Sequence, residues 1–291
     1  MGGLGNQMFQ YAAGRRLAWH HKTQLRIDLG FLKGRQEGVI PRTYELIHFN
    51  INALIAKAGE VAEITCLGDN ILHTIFIRAK QIIGLAKLSP NVFMERYFHF
   101  DPGLMNASDN IYLEGYWQSP KYFEEIEDII REEFTVRYPQ SGRNKELSAA
   151  IASCDSVSLH VRRGDFLSNP QTCEAHGVLG TRYYDLCIDY VADRVAAPHF
   201  FVFSDEPEWA KDNLKIPFDA TFISHNGQDK GYEDLRLMSQ CKHHIIANSS
   251  FSWWGAWLSL NPIKIVCAPK EWFSGFVGDT RDLMPDSWVR I

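Results

Sequence analysis

The chain has 291 residues, 45% of them apolar and 22% charged, with a formal net charge of −5, the profile of a globular protein of one large or two ordinary domains. That charge, with no dense Lys/Arg stripe, excludes a nucleic-acid polymer as the expected ligand. Cysteines 66, 154, 173, 187, 241 and 267 are scattered without a CxxC pair, so neither a zinc site nor a disulfide framework is expected and a reducing cytoplasm fits best.

In chain order, Gly2-Gly3-Leu4-Gly5-Asn6-Gln7 is a glycine-rich turn that lets backbone approach a ligand closely. A helix is predicted over 8–20, with Asn6 as a candidate N-cap. The turn matches neither GxGxxG nor GxxxxGK[ST]. A strand normally leads into such a turn, so either the chain start is truncated or this lobe is expected to lack its first strand. Strands are predicted at 25–29, 92–96 and 111–115, and a helix at 121–133. Over 71–87 apolar residues recur at helical spacing with basic residues between them. A core-facing stripe is the ordinary reading of that pattern, and contact with the inner face of a membrane is the alternative. No run of about 18 apolar residues suggests a membrane span. The polar stretch 138–144 is the best linker, placing lobes at 1–145 and 146–291.

The second half alternates short apolar runs at 157–161, 199–203, 221–224, 243–247 and 263–267 with helical patterns near 182–195, 232–241 and 250–260. This is α/β with a mostly parallel sheet. Ligands of such sheets bind beyond the carboxyl ends of the strands, where Arg162-Arg163, Ser204-Asp205 and Asn248-Ser249-Ser250 fall. Adjacent arginines offer forked, permanently charged donors suited to phosphate. An ion pair with Asp165 is the plainer reading of the same residues. Ser249 and Ser250 open an aromatic helix whose free N–H groups would favour phosphate, though both serines suit a simple cap; Phe251 follows them and is counted with the binding residues. Asp234, near a helix start, has acceptors for a base carrying two adjacent donors, as guanine does. No D-x-D triplet is present, so a metal-bridged diphosphate is not expected and no cofactor is called for.

The blocks GGLGNQMFQYA at 2–12, GYWQSPKYF at 115–123, HVRRGDF at 160–166, FVFSD at 201–205 and DLRLMSQCKHHIIANSSFSWWGAWL at 234–258 resemble bacterial α-1,2-fucosyltransferases of glycosyltransferase family 11. The resemblance implies a GT-B-like fold of two Rossmann-like lobes, the C-terminal one binding GDP-fucose and the N-terminal one contributing most of the acceptor side. It implies transfer of L-fucose from GDP-β-L-fucose to the 2-hydroxyl of a terminal galactoside, with inversion and without metal. Arg162 would grip the β-phosphate, with His160 near the nucleotide and Asp234 on guanine. Ser249 and Ser250 would touch phosphate, and Asn6 would sit by the reacting groups. Arg163 and Asp205 are counted with the donor site, Arg163 with a bracing role open to it. Asp165 is taken into the catalytic set and, with Glu114, is a candidate general base. The acceptor would be a galactose-terminated oligosaccharide or glycolipid, in the cytoplasm or at the inner-membrane face. Two rivals stand beside this: a non-catalytic carbohydrate-binding protein using its eight tryptophans, and a glycoside hydrolase using paired carboxylates.

Overall fold

The computed structural model describes residues 2–33, 42–65, 91–164, 177–275 and 278–291. The chain divides into two compact units, Met1–Thr135 with Arg281–Leu283, and Val136–Thr280 with Met284–Ile291. The amphipathic stretch expected near 71–87 and the candidate base Asp165 lie outside the described residues.

In the first unit α1 (Leu4–His21) starts earlier than predicted, because Gly3 in extended conformation is its N-cap. Asn6 is therefore inside the first turn rather than at the cap. The glycine turn is fastened by the Gln7 amide, which donates to the Gly2 and Thr43 carbonyls and accepts from the Glu45 N–H. Two short parallel pairs follow, β1 (Arg26–Ile27) with β2 (Leu54–Ile55) and β3 (Val92–Met94) with β4 (Tyr112–Glu114). Helices α2 (Gly30–Lys33), α3 (Ala58–Thr65) and α4 (Glu127–Glu133) complete the described helices of this unit. The helix predicted at 121–133 is broken, since 3-10 turns at Pro120–Tyr122 and Glu124–Ile126 precede α4. Tyr11 and Arg15 of α1 both bond the Glu133 carboxylate of α4, which fixes the helix carrying Asn6.

The second unit contains the parallel α/β sheet expected from the alternation. Its strands are β5 (Asp155–Val161), β6 (Pro198–Ser204), β7 (Ala220–Ile223), β8 (His243–Ile245), β9 (Val266–Ala268) and β10 (Val289–Arg290). Their order across the sheet is β10-β9-β8-β5-β6-β7, and every pair is parallel. The chain moves outward from β5 through β6 to β7, then returns to place β8 on the other side of β5. The gap between the carboxyl ends of β5 and β8 is thus the topological switch point, where open α/β sheets bind ligands.

Helices α5 (Gly142–Ser153), α6 (Thr181–Ala192), α7 (Pro207–Asn213), α8 (Gly231–Gln240) and α9 (Ser250–Leu258) cover the sheet. Val157, Leu159, Val161, Phe200 and Val202 pack with Tyr184, Ile188 and Val191 of α6 and Ala210 of α7. Phe201, Phe203 and Ile223 pack with Leu147 and Ile151 of α5 and Leu237 and Met238 of α8. Each fully buried phenylalanine contributes about 1.5–3 kcal/mol relative to exposure. Helix α5 begins inside the stretch read as a linker, because Ser141 takes the N-cap position and Gly142 the left-handed φ of 51°. The strand predicted at 263–267 starts only at Val266: Asn261 turns the chain through bonds from the Ile263 and Lys264 N–H groups and leaves Ile263 exposed.

Helix α9 is the aromatic one. Trp253, Trp254 and Trp257 are buried, with Trp253 and Trp257 stacked at 6.2 Å. Lys264 Nζ closes its far end by donating to the Ala256, Trp257 and Ser259 carbonyls, placing a cation where the helix dipole is negative. Gly255 meets α8 closely: a Cβ there would lie 3.0 Å from Met238 Cβ. Gly255→Val is therefore expected to cost about 1–3 kcal/mol through overpacking, read as a lowered Tm; an unchanged Tm would show that the two helices can part freely.

Candidate active site

At the carboxyl end of β5 the chain turns sharply through Arg162, Arg163 and Gly164. The Asp205 carboxylate, just beyond the neighbouring strand β6, accepts the Arg163 N–H at 2.9 Å and the Gly164 N–H at 3.0 Å, and pairs with Arg162 Nη1 at 3.1 Å. Both its oxygens are occupied by the arginine loop. Asp205 thus positions the arginine loop. Parallel pairing brings the end of β6 beside that of β5, which is what makes Asp205 a partner of Arg162; the ion pair with Asp165 read from adjacency falls outside the described residues.

The two arginines differ. Arg163 stacks its guanidinium 3.6 Å over the Trp209 ring and pairs with Glu206 at 3.3 Å, so its donors are turned to structure. Arg162 keeps a side chain one-quarter exposed beside the switch point.

Across that gap, β8 leads into α9. Ser249 sits at the N-cap in extended conformation but makes no capping side-chain bond, so its hydroxyl does not satisfy the first-turn N–H groups. Those groups and the positive end of the helix dipole suit an anion. Ser250 and Phe251 begin the helix, and the Phe251 ring lies 5.6 Å from that of His160. His160 faces the α9 side of β5 and is 3% exposed; Nδ1 has no hydrogen-bond partner. Burial first, then the Arg162 guanidinium, pushes its pKa down to about 3, so the ring is neutral at physiological pH. The strands flanking the gap are tied side to side by Ser158 Oγ and His244 Nδ1 at 2.8 Å.

Asp234 opens α8. Asn226, in the turn after β7, donates to its Oδ1 at 2.7 Å and is itself oriented by Asn144, which also meets His225 at 2.7 Å. Burial pushes the Asp234 carboxyl up to about 6, Asn226 opposing the shift and Glu233 adding to it. Sequence reading named Asp234 but missed Asn226 and Asn144. The visible signal was a fourth strand end, since His225-Asn226-Gly227 follows β7 as the other polar clusters follow β5, β6 and β8.

Asn6 belongs to the other unit, where Gln118 Nε2 donates to its Oδ1 at 2.8 Å. Glu114 is half-buried in β4. Among the described residues, no three His, Cys, Asp or Glu side chains gather as metal ligands.

The sheet order, the arginine loop and the start of α9 suit an anionic ligand, and residues 88–291 match the profile of Glycosyl transferase family 11. The chain belongs to that family. Over its full length it is 38% identical to the alpha-1,2-colitosyltransferase of Escherichia coli, covering 96% of that protein. It is 30% identical, again over its full length, to the O-antigen biosynthesis glycosyltransferase WbnK of Escherichia coli, covering 98% of it. Mouse galactoside alpha-(1,2)-fucosyltransferase 1 is 27% identical over 89% of this chain and 62% of its own. As a family 11 glycosyltransferase the chain leaves no place for the binding-module and hydrolase readings. Six of the eight tryptophans agree: Trp117, Trp253, Trp254, Trp257, Trp272 and Trp288 are all at most 6% exposed and build the core, while Trp19 is 40% exposed and Trp209 is partly buried beneath Arg163.

Proposed function

We propose that the chain transfers L-fucose from GDP-β-L-fucose to the 2-hydroxyl of a terminal galactoside, forming an α-1,2 linkage by single displacement with inversion and without a metal. The observation that carries this reading is the Arg162 guanidinium held by Asp205 at the carboxyl end of β5, on the sheet edge where β8 leads into α9, whose N-cap Ser249 makes no capping side-chain bond. In that reaction the acceptor oxygen bonds to C1 of fucose as the bond from C1 to the β-phosphate oxygen breaks. The electron pair leaves with GDP, and the hydroxyl proton passes to a base. Charge grows mainly on the β-phosphate, so donors already aimed there act where they count most. Arg162 supplies the guanidinium, Ser249, Ser250 and the α9 N–H groups supply further donors, and Asp205 holds the loop. A forked cation and a helix dipole together take the part a divalent ion plays elsewhere.

The neutral His160 ring, beside Phe251, borders the nucleotide, and Asp234 accepts from guanine. Asn6 positions the acceptor hydroxyl, while Asp165 and Glu114 remain the candidate bases. The relatives' names support an α-1,2 linkage, a galactoside acceptor and a role in O-antigen biosynthesis; the proposal takes the acceptor as a galactose-terminated oligosaccharide or glycolipid met in the cytoplasm or at the inner-membrane face. No described helix is long and apolar enough to cross a membrane.

A second donor is favoured by one observation, the 38% identity to a colitosyltransferase: GDP-colitose, whose sugar is L-fucose without its 3-hydroxyl. Incubating the protein with either donor and a panel of β-galactosides, with and without chelator, tests both. A product heavier by one transferred sugar, unaffected by chelator, is the expected result by mass spectrometry. Transfer only with added Mn²⁺, or none with either donor, overturns the proposal, and a strong preference for GDP-colitose replaces the donor.

A further inference from the structure

The first unit has its own parallel-strand edge, and its polar groups are organised differently from those of the nucleotide site. Beyond β3 lies Glu95, and beyond the adjacent β4 lies the turn Gly115-Tyr116-Trp117-Gln118. The Glu95 carboxylate accepts the Tyr116 N–H at 2.7 Å and the Trp117 N–H at 2.9 Å. Those bonds hold Trp117 at a φ of 58°, a left-handed conformation that costs a bulky residue energy and persists only where the surroundings enforce it. Gly115 is required beside it, since a Cβ there would lie 2.4 Å from Glu95 Cβ. From the other side, Asn6 and Gln10, one turn apart on α1, seize the same turn: Gln118 Nε2 donates to Asn6 Oδ1 at 2.8 Å and Gln10 Nε2 to the Gly115 carbonyl at 3.0 Å.

A turn this constrained fixes two side chains in opposite senses. Trp117 is buried at 1% exposure while its neighbour Tyr116 is 38% exposed. Gln118 is 7% exposed, yet its Oε1 has no hydrogen-bond partner. A buried acceptor left unmet is a standing cost that a ligand hydroxyl can relieve. An exposed tyrosine offers an apolar face with a polar tip, which suits the mixed apolar and hydroxylated faces of a pyranose.

We infer that this turn binds the acceptor sugar, with Tyr116 as its stacking face and Gln118 as a hydroxyl ligand, and that Glu95 is the positioning residue that holds both. The kind of sugar, a β-galactoside, rests on the transferase reading above; the site does not. The two strand-end clusters then divide the work: phosphate and base at one, acceptor hydroxyls at the other.

The test titrates lactose and methyl β-D-galactopyranoside by saturation-transfer NMR in the presence of GDP, with GDP affinity measured separately by calorimetry. Tyr116→Ala and Gln118→Ala should each weaken galactoside binding about tenfold with GDP affinity unchanged. Glu95→Gln, which keeps size but loses one of the two acceptors, should weaken the galactoside similarly while the retained GDP affinity shows the chain folded. A purely structural Glu95 would leave galactoside affinity of the folded protein intact. Variants binding both sugars like the wild type, or a wild type binding neither, would overturn the inference. A wild type that binds galactoside through these residues but has no affinity for GDP would instead overturn the donor reading and leave this site standing.

Discussion

Arg162→Ala is expected to lower kcat about 10²–10³-fold at saturating donor and acceptor, with a Tm close to that of the wild type. The large kinetic term follows from where charge appears as GDP leaves. The small stability term follows because Asp205 keeps the Arg163 and Gly164 N–H bonds when the Arg162 side chain is lost, so its carboxylate is not left unpaired. Arg162→Lys should recover part of the loss, because it restores charge but not the planar fork. Arg163→Ala is the contrasting control: its stack on Trp209 and its pair with Glu206 predict a lower Tm with a far smaller change in kcat. Equal kinetic losses at the two positions, or a near-normal kcat for Arg162→Ala, would remove Arg162 from the leaving-group role.

Asp234→Ala should raise the Kd for GDP about 10²-fold and abolish preference for GDP over IDP, whose base lacks the 2-amino donor. Hydrogen bonds to a charged acceptor contribute about 1.5–3 kcal/mol each, and two are lost together. The wild type should also show a pH signature. The free carboxyl sits near 6 because it is buried, and guanine's donors bind only the ionised form. Affinity should therefore be flat above pH 7 and fall as pH drops through 6, by up to tenfold per unit, since proton and guanine compete for the same oxygens. Calorimetry from pH 5 to 8 measures the slope, and Asp234→Asn should remove it. A slope that survives in Asp234→Asn would assign the titration to another group.

The second unit was legible in the sequence because buried parallel strands are short apolar runs and its helices repeat at their own period. Runs at 157–161 and 199–203 recover most of Asp155–Val161 and Pro198–Ser204. Helix α7 and strand β10 gave no such pattern, being short. What no one-dimensional pattern contains is strand order. Asp205 was visible as a strand-end residue, but its grip on the arginine loop exists only because β6 lies beside β5. Asn226 was marked only as a strand-end residue, and Asn144, 82 residues away, carries no signal that joins it to the pair. Asn6 looked like a cap because it follows glycines, yet Gly3 already serves, and the partner of its amide oxygen is 112 residues away.

Along β5, parity encodes where the reacting end of the strand points. Val157, Leu159 and Val161 lie on one face, while Ser156, Ser158 and His160 lie on the other, all six buried. Inserting or deleting one residue before Arg162 would drive serines and a histidine into the packed α6 face and aliphatic groups onto the face opposite. Either error costs the fold before it misplaces the arginine. Length variants within 155–161 should thus be eliminated as misfolded protein, never encountered as stable enzymes with a displaced clamp.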